Sequence, residues 1–262
     1  MARTIDYPKL VEFVAERRKV TGGYGATREL PATVEDTYEA VELFAAIGGR
    51  AAVPEPPAGD VALAGYLGRV QSRPWLGLAT TFQVLAICRR LRLAVEAERV
   101  RQYADAALAT APSLETSYHV ARLAHEVMES AVAEWLGPAP VLVLPDRRTV
   151  DHVRMLLTVK AFLGQPVTEA AALAEWLRAS QNGDGGFGFF PGTTSFIENC
   201  HSALAALSLL KVQPAEPAAA RAFVVSCQTG AGGFSRNPGA APFLDASWHA
   251  IRSLQLLESM GC

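Results

Sequence analysis

The strongest constraint in this sequence is a tandem copy in its last third. Gln181 opens a polar turn ending in Gly185-Gly186-Phe187; a loop with Pro191-Gly192 follows, then an apolar run from Glu198 to Leu210. The same order returns in Gln228–Leu257, with Gly232-Gly233-Phe234 in the turn and an apolar run beginning at Asp245. Gly185 and Gly232 stand 47 residues apart (232 − 185). A period of that length suits a pair of helices and points to a repeat architecture.

Gly22-Gly23-Tyr24-Gly25 begins a third copy, because Val34-Glu35-Asp36-Thr37-Tyr38 aligns with Ile197-Glu198-Asn199-Cys200-His201. Apolar spacing predicts helices over Tyr7–Val20 and Thr33–Ile47, the second stopped by Gly48-Gly49. The middle keeps the rhythm more loosely. Asp60–Val70 and Gly77–Leu93 flank the turn Ser72–Trp75, and Glu98–Thr110 pairs with Ser113–Trp135. A fourth pair ends in the helix begun by Val150-Asp151-His152-Val153-Arg154. It is preceded by a weak helix around Ala131–Leu136 or a short extended piece at Val141–Leu144. Gly59 and Pro138-Ala139-Pro140 read as loop punctuation, not as domain linkers.

The result is six helical hairpins of about 44 residues each, and one all-α domain over residues 1–262. A hairpin with one apolar face cannot bury it alone. The inner helices Thr37–Ile47, Cys200–Leu210 and Ser247–Leu257 are apolar around most of their circumference, whereas Ala170–Ala179 stays amphipathic with Glu175 and Arg178. Closure into an (α/α)6 toroid is therefore expected in preference to an open stack.

Composition narrows the partners. Hydrophobic residues make up 50% of the chain, the formal charge is −2, and no Lys/Arg block occurs, which argues against a nucleic-acid surface. No apolar leader core follows the N-terminus and charges interrupt every long apolar run, so the expectation is a cytoplasmic protein without a membrane span. Cys88, Cys200, Cys227 and Cys262 are widely spaced and read as reduced thiols.

Gln-x-x-x-Gly-Gly-Phe at Gln181–Phe187 and Gln228–Phe234, with the loop and inner helix that follow, resembles the repeat of protein prenyltransferase β subunits and of squalene and terpene cyclases. Ser72-Arg73-Pro74-Trp75-Leu76 also looks like a prenyltransferase β-subunit segment. The resemblance implies a zinc ion that activates an acceptor thiol, held by the Asp-x-Cys of one inner helix and a His of the next. Here Glu198-Asn199-Cys200 matches the first element, while Trp248 stands where the histidine is expected and His249 follows one residue later. Glu198, Cys200 and His249 are thus the metal candidates, with His201 a substitute for the imidazole. The family carries cations in the loop after Gly-Gly-Phe, but Phe189–Thr194 has none; Arg147, Arg148 and Arg154 offer an anion site nearby. The Asp-x-Asp-Asp motif of the class II cyclases is absent. The resemblance also implies a small isoprenoid-like substrate, and a partner subunit or homo-oligomer.

Glu35, Glu115, Asp151, Glu198 and Asp245 recur at the first turn of the inner helices. Helix capping and the positive helix end explain such a set by themselves. If those helix ends converge on the open mouth of a central pocket, the carboxylates meet Tyr38, Tyr118, Cys200, His201, Trp248 and His249 there. An acid buried in such a funnel has a raised pKa and can donate a proton. Asp245 is the first choice and Glu198 the second, with His201 and His249 as proton carriers. Tyr38, Tyr118, Phe189, Trp248 and the three arginines are expected to line the substrate site. Three functions stay open: a prenyltransferase-like or cyclase-like enzyme; an enzyme of unrelated chemistry on the same ring; and a non-catalytic binding or partner module.

Overall fold

The computed structural model describes residues 4–48, 50, 60–75 and 77–262. Gly49, Gly59 and Leu76, used above as punctuation and motif, lie outside the described residues. Six helices form an inner ring: α2 (Val34–Ile47), α4 (Leu78–Arg90), α6 (Leu114–Arg122), α8 (Val150–Phe162), α10 (Ile197–Leu209) and α12 (Leu244–Ser259). Each packs on the next in sequence, and α12 packs back on α2, so the ring is closed. The fold is the all-α toroid, with α1 (Tyr7–Ala15), α3 (Val61–Gln71), α5 (Ala97–Thr110), α7 (Val132–Leu136), α9 (Ala170–Ala179) and α11 (Pro217–Ser226) outside it. The one sheet among the described residues is a two-residue hairpin, β1 (Phe234–Ser235) with β2 (Pro242–Phe243).

The Gln-x-x-x-Gly-Gly motif is the joint between hairpins. Gln181 donates from Nε2 to the carbonyls of Gly185 and Glu216, and its Oε1 accepts the Glu216 N–H at 2.9 Å, which fixes the start of α11. The first glycine of each pair has positive φ (104° at Gly22, 90° at Gly185, 95° at Gly232) and lies directly against the backbone of the next outer helix. A Cβ at Gly185 would stand 2.2 Å from the Ala219 carbonyl, and one at Gly232 2.2 Å from that of Lys9. Only glycine fits both the conformation and the space.

Inside the joint, each turn is tied to its own inner helix thirteen residues on. The N–H of Tyr24 donates to Thr37 Oγ1, that of Phe187 to Cys200 Sγ, and that of Phe234 to Ser247 Oγ. Thr, Cys and Ser are interchangeable here because the position requires a small acceptor for a buried N–H.

Two expectations need correction. The helix predicted over Ser113–Trp135 is interrupted: α6 passes into a π-turn at Leu123–Val127, Glu129 takes φ 50°, and the chain restarts as α7. The helix predicted over Tyr7–Val20 stops at Ala15, where the strand-like bridge of Arg18 to Tyr24 begins the Gly-Gly turn. Both possibilities raised for the fourth hairpin occur in succession, since α7 is only five residues long and Val141–Leu144 runs on without helix, turn or bend.

Candidate functional site

The axis of the ring is built by one register position. The fifth residue after each inner-helix N-cap is Tyr38, Phe82, Tyr118, Arg154, His201 or Trp248. Their side chains meet. Tyr38 lies edge-on to Phe82 at 6.0 Å and tilted against Trp248 at 6.2 Å, and Trp248 is edge-on to His201 at 4.9 Å. The Arg154 guanidinium lies 4.8 Å from the Tyr118 ring centroid and donates to its hydroxyl. One turn deeper on α6, Arg122 covers Phe82 at 3.7 Å and is held by both Glu126 oxygens, at 2.7 and 2.9 Å. That pair sits where α6 becomes the π-turn, a distortion frequent at functional sites.

The next residue around each helix adds the titratable groups. On α12 and α10, His249 Nδ1 faces His201 Nδ1 at 3.0 Å, so one ring donates and the other accepts. Asp151 on α8 accepts from Arg154 at 2.7 Å and from the Ser202 hydroxyl at 2.9 Å. Burial works against its ionisation, but the Arg154 charge and hydrogen bond, the Ser202 bond and nearby His249 outweigh this and hold its carboxyl low. Burial pushes His249 and His119 down to about 4, with neighbouring arginines contributing, so both are neutral at pH 7. His201 is also held well below the usual imidazole value, first by burial and then by His249. Four buried side-chain atoms on the inner helices have no partner among the described residues: Trp248 Nε1, His119 Nδ1, Ser117 Oγ and Asn199 Nδ2. Unpaired polar groups at this depth are costly in a merely structural core.

Glu39, the residue after Tyr38, is the group that sequence reasoning missed. Its side chain is buried, only 6% exposed. Desolvation first, then the charges of Asp245, Glu35 and Asp36, push its carboxyl up to about 9. It keeps its proton at neutral pH. The available signal was its place one residue beyond Tyr38, in register with His249 and Ser202.

Those first-turn acids do not act as side-chain caps of the kind expected. Thr33, Ser113 and Thr149 supply the cap hydrogen bonds for α2, α6 and α8. Asp245 is exposed at the mouth, where it accepts from the Ala246 N–H, instead of lying at the base of a funnel. Glu198 is taken by Arg236, whose guanidinium also covers Phe196 at 4.1 Å. Asp151 faces Arg154 and Ser202.

The set Glu198, Cys200 and His249 does not converge. Cys200 Sγ accepts the buried Phe187 N–H and its thiol is raised by burial, Glu198 is paired with Arg236, and His249 faces His201. No group of three or more His, Cys, Asp or Glu among the described residues is placed to hold a metal ion. The Cys200 thiol serves a turn N–H and the Glu198 carboxylate serves an arginine, so neither is directed at a common metal position. The three arginines separate as well. Arg154 is committed on the axis, Arg147 is exposed, and Arg148 lies 5.1 Å from the Trp176 ring on the outer wall. Phe189 is 38% exposed and lies edge-on to Phe196 at 6.3 Å, away from Tyr38 and Tyr118.

Two clefts among the described residues lie off the axis. One, of about 280 Å3, lies among the start of α2, α3, Arg73-Pro74-Trp75 and α4. The other, of about 290 Å3, lies among Leu142–Leu144, α8 and the start of α9. The axis itself is occupied by the side chains described above.

Residues 147–262, which supply α8 to α12, match the prenyltransferase alpha-alpha toroid domain. The likeness to that family rests on this segment, which holds both well-preserved Gly-Gly-Phe repeats. A search of curated proteins finds no match to the chain. No helix among the described residues is long and apolar enough to cross a membrane.

Proposed function

We propose that the chain is a toroid-family enzyme that performs proton-initiated, cyclase-like chemistry on an unsaturated isoprenoid-like substrate, with Glu39 as the acid. The observation that carries this reading is the buried Glu39 carboxyl, next in sequence to Tyr38 of the axis and held protonated by burial and by neighbouring carboxylates. A protonated carboxyl in an apolar site is a competent general acid. Glu39 gives its proton to one carbon of a C=C bond, and the cation left on the other faces Tyr38, Phe82, Tyr118 and Trp248. A neutral imidazole of the His201–His249 pair takes a proton from the adjacent carbon, which restores an alkene. Asp245 acts through its charge, which helps to keep Glu39 protonated.

Transfer of a prenyl group from a diphosphate has less support. The Phe189–Thr194 loop carries no cation, the arginines expected to clamp a diphosphate lie apart, and the zinc donors do not converge. No step is therefore routed through a metal.

A second reading is favoured by the filled axis: contacts among Tyr38, Phe82, Trp248 and His201 close it, which suits a binding module. One experiment separates the two. The purified chain is incubated in D2O with a linear polyprenyl alkene, and products are separated by gas chromatography with mass detection. The enzyme reading expects a new product carrying one deuterium, lost in Glu39→Gln. Turnover without deuterium, or turnover kept by Glu39→Gln, overturns it. Stoichiometric binding without turnover supports the binding module.

A further inference from the structure

The fourth hairpin lacks a full outer helix, and what replaces it has an unused chemistry. α7 packs on α5, α6 and the π-turn, and the chain then crosses to α8 through Val141–Leu144, between Pro140 and Pro145. This stretch runs without turn or bend, and its side chains alternate. Leu142 packs against the apolar cluster built on α4 and α6, Leu144 against the one built on α10 and α12, and Val143 between them is 72% exposed. This is the pattern of a half-buried strand, but among the described residues no strand lies beside it. Among the described residues, no backbone N–H or C=O of Val141–Leu144 has a hydrogen-bond partner.

The 290 Å3 cleft adjoins the same stretch. Leu142, Leu144, Leu156 and Leu173 line it, together with Arg148, Lys160 and the opposing carboxylate Glu169. Among the described residues neither cation is in an ion pair: Arg148 lies over Trp176, and the Lys160 ammonium donates to the Pro166 carbonyl at 3.3 Å. The cleft is therefore mixed, with leucines beside polar groups and a surplus of one positive charge.

We propose that Val141–Leu144 and the adjoining cleft form a docking edge for an extended peptide of a partner protein, which adds a β-strand and places an apolar and an acidic side chain in the cleft. The unpaired backbone selects the occupant. A helix has already satisfied its own backbone groups and a lipid tail has none to offer, so only an extended chain pairs with these donors and acceptors. The flanking prolines limit the strand to four residues, which limits open-ended aggregation. This inference goes beyond the proposed catalysis and does not depend on it.

The test uses the full chain and a short, blocked, fluorescent peptide of alternating valine and glutamate. The expected result is saturable binding with slowed hydrogen exchange at the amides of Val141–Leu144. N-methylation of alternate peptide amides weakens binding by roughly tenfold or more, because each blocked amide removes a hydrogen bond. The double variant Arg148→Glu, Lys160→Glu weakens the glutamate peptide and not one with glutamine in its place. Three outcomes overturn the proposal: no saturable binding, equal binding of the N-methylated peptide, or amide protection that appears with protein concentration alone. The last would make a second copy of the chain the occupant.

Discussion

The carboxamide of Gln228 accepts the backbone N–H of Asp6 at 2.9 Å and donates to the Asp6 carbonyl at 3.0 Å, across 222 residues of chain. Gln181 makes the same pair of bonds with Glu216 only 35 residues away. The device that joins consecutive hairpins thus also closes the ring, by treating α1 as the outer helix that follows the sixth repeat. Gln228→Ala leaves the N–H and C=O of Asp6 without these partners and costs about 1–3 kcal/mol in urea denaturation. Its local signature is faster hydrogen exchange in α1 with α11 unchanged, and Gln181→Ala gives the reverse. Equal effects of both variants on both helices would contradict this division.

Cys200 is expected to behave as a turn acceptor. Cys200→Ser keeps an acceptor for the Phe187 N–H and stays within about 1 kcal/mol of the parent, whereas Cys200→Val leaves that donor unpaired and costs about 1–3 kcal/mol. Burial raises the Cys200 and Cys227 thiols, the latter to about 12, so both should resist iodoacetamide at pH 8 until the protein unfolds. Cys262, which is half-buried, should label first.

Stability should decline on both sides of a mildly acidic optimum. His119 and His249 have folded pKa values near 4, below the ordinary 6.5, so the unfolded chain binds more protons between those values. Their contribution is present above pH 6.5 and is lost as pH falls through about 4, worth up to about 3 kcal/mol each. Glu39 works in the opposite direction. Its folded pKa of about 9 lies above the ordinary 4.5, so its contribution is full below pH 4.5 and is lost as pH rises through about 9. Glu39→Gln removes that alkaline loss and should raise Tm at pH 8, while abolishing the proposed deuterium incorporation. A variant both less stable at pH 8 and fully active would refute the assignment.

The two classes of loop glycine should separate cleanly. Gly232→Ala places a Cβ 2.2 Å from the Lys9 carbonyl at φ 95°, so strain of about 1–3 kcal/mol is joined by a backbone clash at the ring seam. Gly192→Ala has φ 84° but nothing within 4 Å, so it should cost only the conformational term of about 1–2 kcal/mol. Thermal denaturation of the two variants side by side measures the difference.

The helical hairpins, their number and the closed ring were legible because a repeat writes its joints into the chain. Gly185 and Gly232 are there for a φ and an approach distance that no other residue satisfies, and Gln181 and Gln228 for two bonds to a fixed backbone partner. Such requirements are local and repeat at constant spacing. The break after α6 was not legible, because the apolar spacing of Ser113–Trp135 continues through the π-turn that interrupts it.

The candidate site divides in the same way. The sequence placed Tyr38, Tyr118, Cys200, His201, Trp248 and His249 near one end of the inner helices, since register alone puts them there. It could not say which neighbours each would find. Cys200 and His201 are consecutive, yet one turns outward to a backbone N–H and the other inward to His249, because successive residues on a helix point about 100° apart. Whether Asp245 or Glu39 holds a proton depends on how much protein surrounds each carboxyl, and that follows from the packing of α12 against α2. Sequence by itself determined the repeat, the ring and the axial register. Only the tertiary structure decided pairing, burial and charge state, because these arise between helices that the chain brings together from distant positions.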